Sequence, residues 1–269
     1  VPRAFQDHLN RTVFLSSYPP QRIVSLCPSQ TETLAYLEAP LVGVTHFCIH
    51  PPTLKKQCIV VGGTKKVHYD RIEKLQPDLI IAEKEENTKD MVEVLATRYP
   101  VYVTNVTSIE TALEMIDSLG TLMGKTEKAK NLIDSIQKGW APLKDQFNGI
   151  RVLYLIWRNP WMTVGKNTYI HDVLTYLGFL NVASHLSEER YFTIDPQILL
   201  QHANYDFLFL SSEPFPFKEK HAYELIEQGV PPEKICFVNG EMFSWYGVRM
   251  LKAKDYFAQK RWEKGIFTQ

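Results

Sequence analysis

The sequence predicts an α/β protein of two lobes, each with a mainly parallel sheet, joined by a long rigid backbone helix. Three observations carry that prediction. The same order of elements runs through both halves of the 269 residues. The central strands of the halves, 78–82 and 206–210, are continuous apolar runs rather than alternating ones, as strands covered on both faces are. Between the halves, Thr107 and Glu110 form a capping box that opens a helical stretch.

In the first half, strand 22–27 leads to helix 30–37, short strand 41–45, helix 70–75, strand 78–82, helix 88–97 and strand 101–104. The second half repeats this with strand 151–157, helix 169–177, short strand 181–183, helix 196–203, strand 206–210, helix 221–228 and strand 235–238. Strands 78–82 and 206–210 each follow a helical segment and begin at an Asp, the form of an αβ connection. The connecting helix runs to Met123 and ends at Gly124; a second is capped by Thr126 and continues to Lys138 before Gly139 and Pro142 break it. The chain thus divides into an N-terminal α/β lobe over 1–106, a helical connector over 107–148 and a C-terminal α/β lobe over 149–269. Right-handed crossovers place the strand carboxyl ends of a lobe on one edge, and ligands of open α/β sheets bind outside that edge.

Composition narrows the function. Thirty basic and thirty acidic residues balance to a formal charge of zero, which argues against nonspecific nucleic-acid binding. No apolar run approaches the roughly 20 residues that span a bilayer. Residues 1–14 are polar and mixed in charge, unlike a signal peptide. That is compatible with a periplasmic or extracytoplasmic protein whose leader has been removed, and equally with a cytoplasmic one. The four cysteines, Cys27, Cys48, Cys58 and Cys236, contain no C-x-x-C pair. Cys27, Cys58 and Cys236 lie in or beside apolar runs and read as small buried side chains, with a Cys48–Cys58 disulfide as the alternative.

Several loops carry candidate chemistry. After the first strand, Ser29 is an N-cap candidate, and the helix start with Gln30 offers amides to an anion or carbonyl. After the short strand, His46, Cys48 and His50 occupy alternate positions and have the donor atoms for zinc or iron, although alternate residues of an extended segment face opposite ways. Phe47 lies among them. Gly62 and Gly63 form a flexible turn before the cation Lys65, and Glu83 to Asn87 reads as a solvated charge run. In the second half, Trp157, Arg158 and Trp161 leave one strand end, Glu213 and Phe215 a second, and Trp245, Tyr246 and Arg249 a third. Aromatics converging from three strand ends suit a large planar or macrocyclic ligand, with Arg158 or Arg249 on its carboxylate or phosphate. There is no G-x-S-x-G elbow and no G-x-G-x-x-G loop, and no catalytic residue is nominated; the acids Glu83, Glu86 and Glu213 could pair as acid and base, but nothing in the sequence sets their distance.

With these residues in view, the chain resembles the helical-backbone (class III) substrate-binding proteins of ABC importers, closest to their cobalamin-binding-like branch. The resemblance rests on the run Arg-Ile-Val-Ser-Leu-Cys-Pro-Ser-Gln-Thr-Glu at 22–32, Val-Gly-Val-Thr at 42–45, Val-Gly-Gly at 61–63 and Leu-Gln-Pro-Asp-Leu-Ile-Ile at 75–81. It implies two Rossmann-like lobes with a ligand cleft between them, and no catalytic cofactor. The ligand it implies is a metal chelate: cobalamin, haem or a ferric siderophore. It also implies a monomer that meets an ABC permease dimer in the membrane through an acid on each lobe. These acids fall on Asp70 and, offset from the expected position, on Asp195. In this reading Trp157, Trp161, Phe215, Trp245 and Tyr246 stack on the chelate, Arg249 and Glu213 hold its polar edge, and His46 or Cys48 approaches the metal. The competing reading is a metal-ion-binding protein, metallochaperone or metal-dependent enzyme using His46, Cys48 and His50.

Overall fold

In the computed structural model of the chain, residues 1–260 are described. Contacts divide them into two compact units. The first comprises Val1–Val106, Glu110–Ile136 and Tyr246–Arg249; the second comprises Thr107–Ile109, Gln137–Trp245 and the chain from Met250. Each is an α/β lobe around its own sheet.

The first unit opens with an antiparallel hairpin, β1 (Arg3–Gln6) and β2 (Thr12–Leu15). The alternation of elements then follows: β3 (Ile23–Ser25), α1 (Pro28–Tyr36), β4 (Leu41–Val44), α2 (Leu54–Gln57), β5 (Ile59–Val60), α3 (Tyr69–Leu75), β6 (Leu79–Glu83), α4 (Lys89–Ala96) and β7 (Val101–Thr104). The strands pair in parallel in the order β5-β4-β3-β6-β7. All five residues of β6 are buried, as its unbroken apolar run requires. The hairpin, which the polar N-terminal sequence did not announce, has its turn on the open side of β7. Asp7 accepts the Leu9 and Arg11 amides at 2.9 Å and the Val103 amide at 3.3 Å, while the His8 amide donates to Val103 O at 3.1 Å. An edge strand that would otherwise present free backbone groups is thereby capped.

α5 (Ile109–Leu122) and α6 (Thr126–Trp140) follow, separated at Gly124, whose φ of +65° suits a residue without Cβ. Residues Glu110–Ile136 of these helices cluster with the first unit, and α5 buries Ala112, Met115, Ile116 and Leu119. At Gly120 a Cβ would lie 2.2 Å from that of Ala129, so the two helices touch at this point.

The second unit contains β8 (Arg151–Trp157), β9 (Met162–Val164), α7 (Tyr169–Tyr176), β10 (Leu180–Asn181), β11 (Tyr191–Thr193), α8 (Pro196–Leu200), β12 (Phe207–Ser211), α9 (Glu219–Glu227), β13 (Ile235–Val238), α10 (Gly240–Ser244) and α11 (Met250–Gln259). Its sheet runs β11-β9-β8-β12-β13, with β10 paired to β8. β8, β12, β13 and β10 are parallel. β9 and β11 are antiparallel additions outside the strands expected from the sequence.

The internal repeat has a residue-level counterpart. Asp78, just before β6, accepts the Arg22 amide at 2.9 Å, and the Arg22 side chain donates to Leu75 O at the end of the preceding helix. Asp206, just before β12, accepts the Arg151 amide at 2.8 Å, and the Arg151 side chain donates to Ala203 O. In both units an Asp at the entry of one strand thus fixes the start of its neighbour, and an Arg closes the turn. No helix among the described residues is long and apolar enough to cross a membrane.

Candidate functional site

The carboxyl edge of the first sheet is tied together from beneath. Asn87 Nδ2 donates to Leu26 O at 3.1 Å and to Thr64 O at 2.8 Å, linking the loops after β3, β5 and β6. Lys65 donates through Nζ to Glu85 O, so this cation is engaged by the neighbouring loop. Glu83 closes the loop on itself: its carboxyl accepts the amides of Glu85 at 2.6 Å, Glu86 at 3.0 Å and Val106 at 3.2 Å. At 2% exposure it is no part of a solvated charge run, and burial pushes its pKa up to about 7 against the pull of those amides. The sequence signal available was an acidic residue and an Asn directly after an apolar strand, which resembles any surface loop.

At the start of α1 the N-cap is Cys27, with Pro28 at the first helical position; Ser29 lies inside the helix and is buried. The proline sets the helix start two residues earlier than expected. Cys27 Sγ is 3.4 Å from Ser29 Oγ and 3.5 Å from Tyr246 Oη, and burial pushes both the Cys27 thiol and the Tyr246 phenol up. Gln30 is fully buried and donates to Thr104 Oγ1, and its Oε1 has no partner among the described residues. These groups support the edge from within.

The loop after β4 separates its three candidate metal donors. Cys48 is fully buried, with Sγ 3.1 Å from Thr31 Oγ1 and 3.2 Å from Thr45 Oγ1, in a small cluster with Val44, Leu54 and Cys58. His46 is exposed, with its ring 4.0 Å from that of Phe47, which is 51% exposed. Alternation along the loop therefore sends the thiol inward and the imidazole outward. Among the described residues no three His, Cys, Asp or Glu side chains are grouped to hold a metal ion, so His46, Cys48 and His50 do not form a centre. All four cysteines are free thiols; Cys48 and Cys58 are not joined.

Tyr246 and Arg249 belong with the first unit. Arg249, 3% exposed, donates to both carboxylate oxygens of Glu32 at 2.8 and 2.7 Å, and the Val248 amide donates to Thr33 Oγ1 at 3.0 Å. Arg249 is therefore committed to a buried ion pair on α1 instead of standing ready for a ligand carboxylate.

In the second unit, Trp157 ends β8 at 40% exposure, with its ring 5.6 Å from that of Phe215 in an edge-to-face pair. Arg158 forms a two-pronged pair with Glu224 of α9 at 2.7 and 2.5 Å, so it too has an internal partner. Trp161 is buried in the core, parallel to Phe217 at 6.0 Å, which removes it from the expected stacking wall. Trp245 is also buried, and its Nε1 donates to Glu213 Oε2 at 2.8 Å, joining two of the expected contacts to each other. A cavity of about 330 Å³ opens where β12 and β13 end, lined by Leu210, Ser212, Phe217, Lys218, Glu219, Phe237 and Val238. Of this lining, Ser212 and Phe217 lie in the strand-end loop that carries Glu213 and Phe215, whereas nothing local in the sequence marks Lys218 or Glu219. Of the two docking acids, Asp70 is exposed in the first turn of α3, while Asp195 is exposed but caps α8, accepting the Gln197 amide at 2.8 Å.

Known proteins share this architecture. A family model described as periplasmic binding protein matches residues 23–228. The vitamin B12-binding protein of Salmonella typhi is 30% identical over 169 residues, covering 61% of this chain and 63% of that protein. The match thus spans less than two thirds of the relative's length. Among solved structures, a periplasmic haem-binding protein from Roseiflexus sp. RS-1 superposes with a TM-score of 0.74 at 19% identity, covering 88% of this chain and 97% of that one. A periplasmic catecholate-siderophore binding protein from Vibrio cholerae gives 0.75 at 15% identity, covering 96% and 98%. At such identities the likeness concerns the fold.

Proposed function

Because the chain belongs to the periplasmic binding protein family, we propose that it is a non-catalytic receptor for a metal chelate (a corrinoid, haem or a ferric siderophore) that it delivers to an ABC importer. The observation that carries this reading is the exposure of aromatic rings at sheet carboxyl edges: Phe47 in the first unit, and in the second Trp157, set edge-to-face against the half-buried Phe215. Exposed rings at an edge where α/β sheets bind ligands offer planar contact area at low entropic cost. Vitamin B12, haem and siderophore are the ligands of the related proteins. A monomer working outside the cytoplasm, with Asp70 and Asp195 meeting the permease, completes the proposal.

The test is a tryptophan-quenching titration with cyanocobalamin, haemin and a ferric siderophore in parallel, corrected for inner-filter absorption. Saturable one-to-one quenching by one of them, unaffected by prior EDTA treatment, is the expected outcome. Trp157→Ala should weaken that binding by about tenfold, or about 1.4 kcal/mol. No response to any of the three would defeat the receptor reading.

A further inference from the structure

The loop after β4 presents one side chain in the form of a prepared metal ligand. His46 Nδ1 is 2.9 Å from Gly62 O, and the His46 backbone amide donates to the same oxygen at 2.8 Å. A carbonyl oxygen only accepts, so Nδ1 carries the proton in that contact, and in the neutral ring the lone pair is on Nε2. Nε2 has no hydrogen-bond partner among the described residues, and the residue is exposed. The ring is held on two further sides. Phe47 flanks it at 4.0 Å between centroids, and Gly63 makes room for it, since a Cβ there would lie 2.9 Å from His46 Cε1. A histidine that donates one ring N–H to a backbone carbonyl and offers the other nitrogen outward has the arrangement that fixes tautomer and orientation in metal-ligating imidazoles. Cys48, two residues on, is turned into the core and leaves the imidazole without a competing thiolate from this loop.

We propose that His46 Nε2 is an axial ligand to the central metal of the cargo, and that the cargo is therefore a planar metal tetrapyrrole with an exchangeable axial position. This rests on the receptor reading above and narrows it. A hexadentate ferric siderophore fills all six positions of its octahedral iron with its own donors and leaves none for an imidazole. In a haem-like macrocycle the Nε2 lone pair forms the bond, a weakly held water or hydroxide leaves, and no electron is transferred. Imidazole nitrogen suits iron and its first-row neighbours. Gly62 O, by accepting the Nδ1–H hydrogen bond, makes Nε2 the better donor.

The probes are haemin and metal-free protoporphyrin IX, read by quenching for affinity and by the Soret and visible bands for ligation. The wild-type chain should prefer haemin over the metal-free macrocycle by at least about tenfold, and should give the shifted bands of nitrogen-ligated ferric haem. His46→Ala should lose both the preference and the bands. Gly63→Ala, whose new methyl presses on Cε1, should reduce both without removing the imidazole. Identical bound spectra for wild type and His46→Ala, with quenching still saturable, would overturn the axial role and leave the receptor reading standing. Saturable binding of a ferric siderophore alone would do the same. Absence of quenching by every chelate would overturn both.

Discussion

Two buried charged groups, Glu83 and Arg249, find different answers to the same problem. Arg249 meets a carboxylate, Glu32, in two parallel hydrogen bonds, the geometry in which a buried guanidinium is best compensated. Glu83 meets only backbone amides; burial outweighs them and raises its pKa from 4.5 to about 7. A carboxyl whose folded value lies above its unfolded one contributes stability that is complete below about pH 4.5 and is lost as pH rises through about 7. The gap corresponds to about 3 kcal/mol. His8, His171 and His221, which burial pulls downward, act in the opposite direction, so the wild-type curve alone does not isolate Glu83. The difference between wild type and Glu83→Gln does. In urea unfolding, wild type should lose about 3 kcal/mol relative to the variant between acidic and mildly alkaline pH; parallel curves would refute the assignment.

At the scale of elements, the segment Tyr246–Arg249 is the least expected piece of the architecture. It leaves α10, packs with the first unit, and returns into α11 at Met250. Gly247 makes the path feasible: its φ is +83°, and a Cβ there would lie 2.0 Å from Thr33 Oγ1. Gly247→Ala would combine left-handed backbone strain with a clash against a fully buried hydroxyl, and should destabilise the chain by about 2–3 kcal/mol. A thermal melt indistinguishable from wild type would mean that the segment is not held as described. The Asp–Arg clamps at Arg22/Asp78 and Arg151/Asp206 show the opposite economy, one local device used twice because both sheets must align a central strand with its neighbour.

For the whole molecule, the distribution of polar groups argues for a protein whose sulfur is structural. All four cysteines are buried, and burial pushes every one of their thiols upward, Cys236 to about 12. Thiolate is the reactive form, so native protein should show no fast phase with Ellman's reagent, while four equivalents should react once the chain is denatured. A fast native equivalent would locate an accessible thiol and contradict the packing. The same burial explains why a metal centre at His46, Cys48 and His50 is not assembled: its sulfur is part of the core.

The two α/β halves, the parallel central strands and the helix break at Gly124 were legible along the chain, because periodicity, capping residues and apolar runs are local and act over one or two turns; the family was legible only as a resemblance of the runs 22–32, 42–45, 61–63 and 75–81. The sequence also named the strand-end loops, where Phe47 and Trp157 stand exposed and Phe215 is half-buried beside Trp157. Only tertiary structure decided which candidates face outward. Trp161 is as aromatic as Trp157, yet Phe217 covers it; Arg249 is as cationic as any ligand-binding arginine, yet its carboxylate waits 217 residues away on α1. The hairpin on β7 and the loop around Glu83 were likewise illegible, since each depends on amides supplied by a distant strand or loop. Burial and pairing are properties of neighbours in space, and a pattern read along the chain contains them only where those neighbours are also close in sequence.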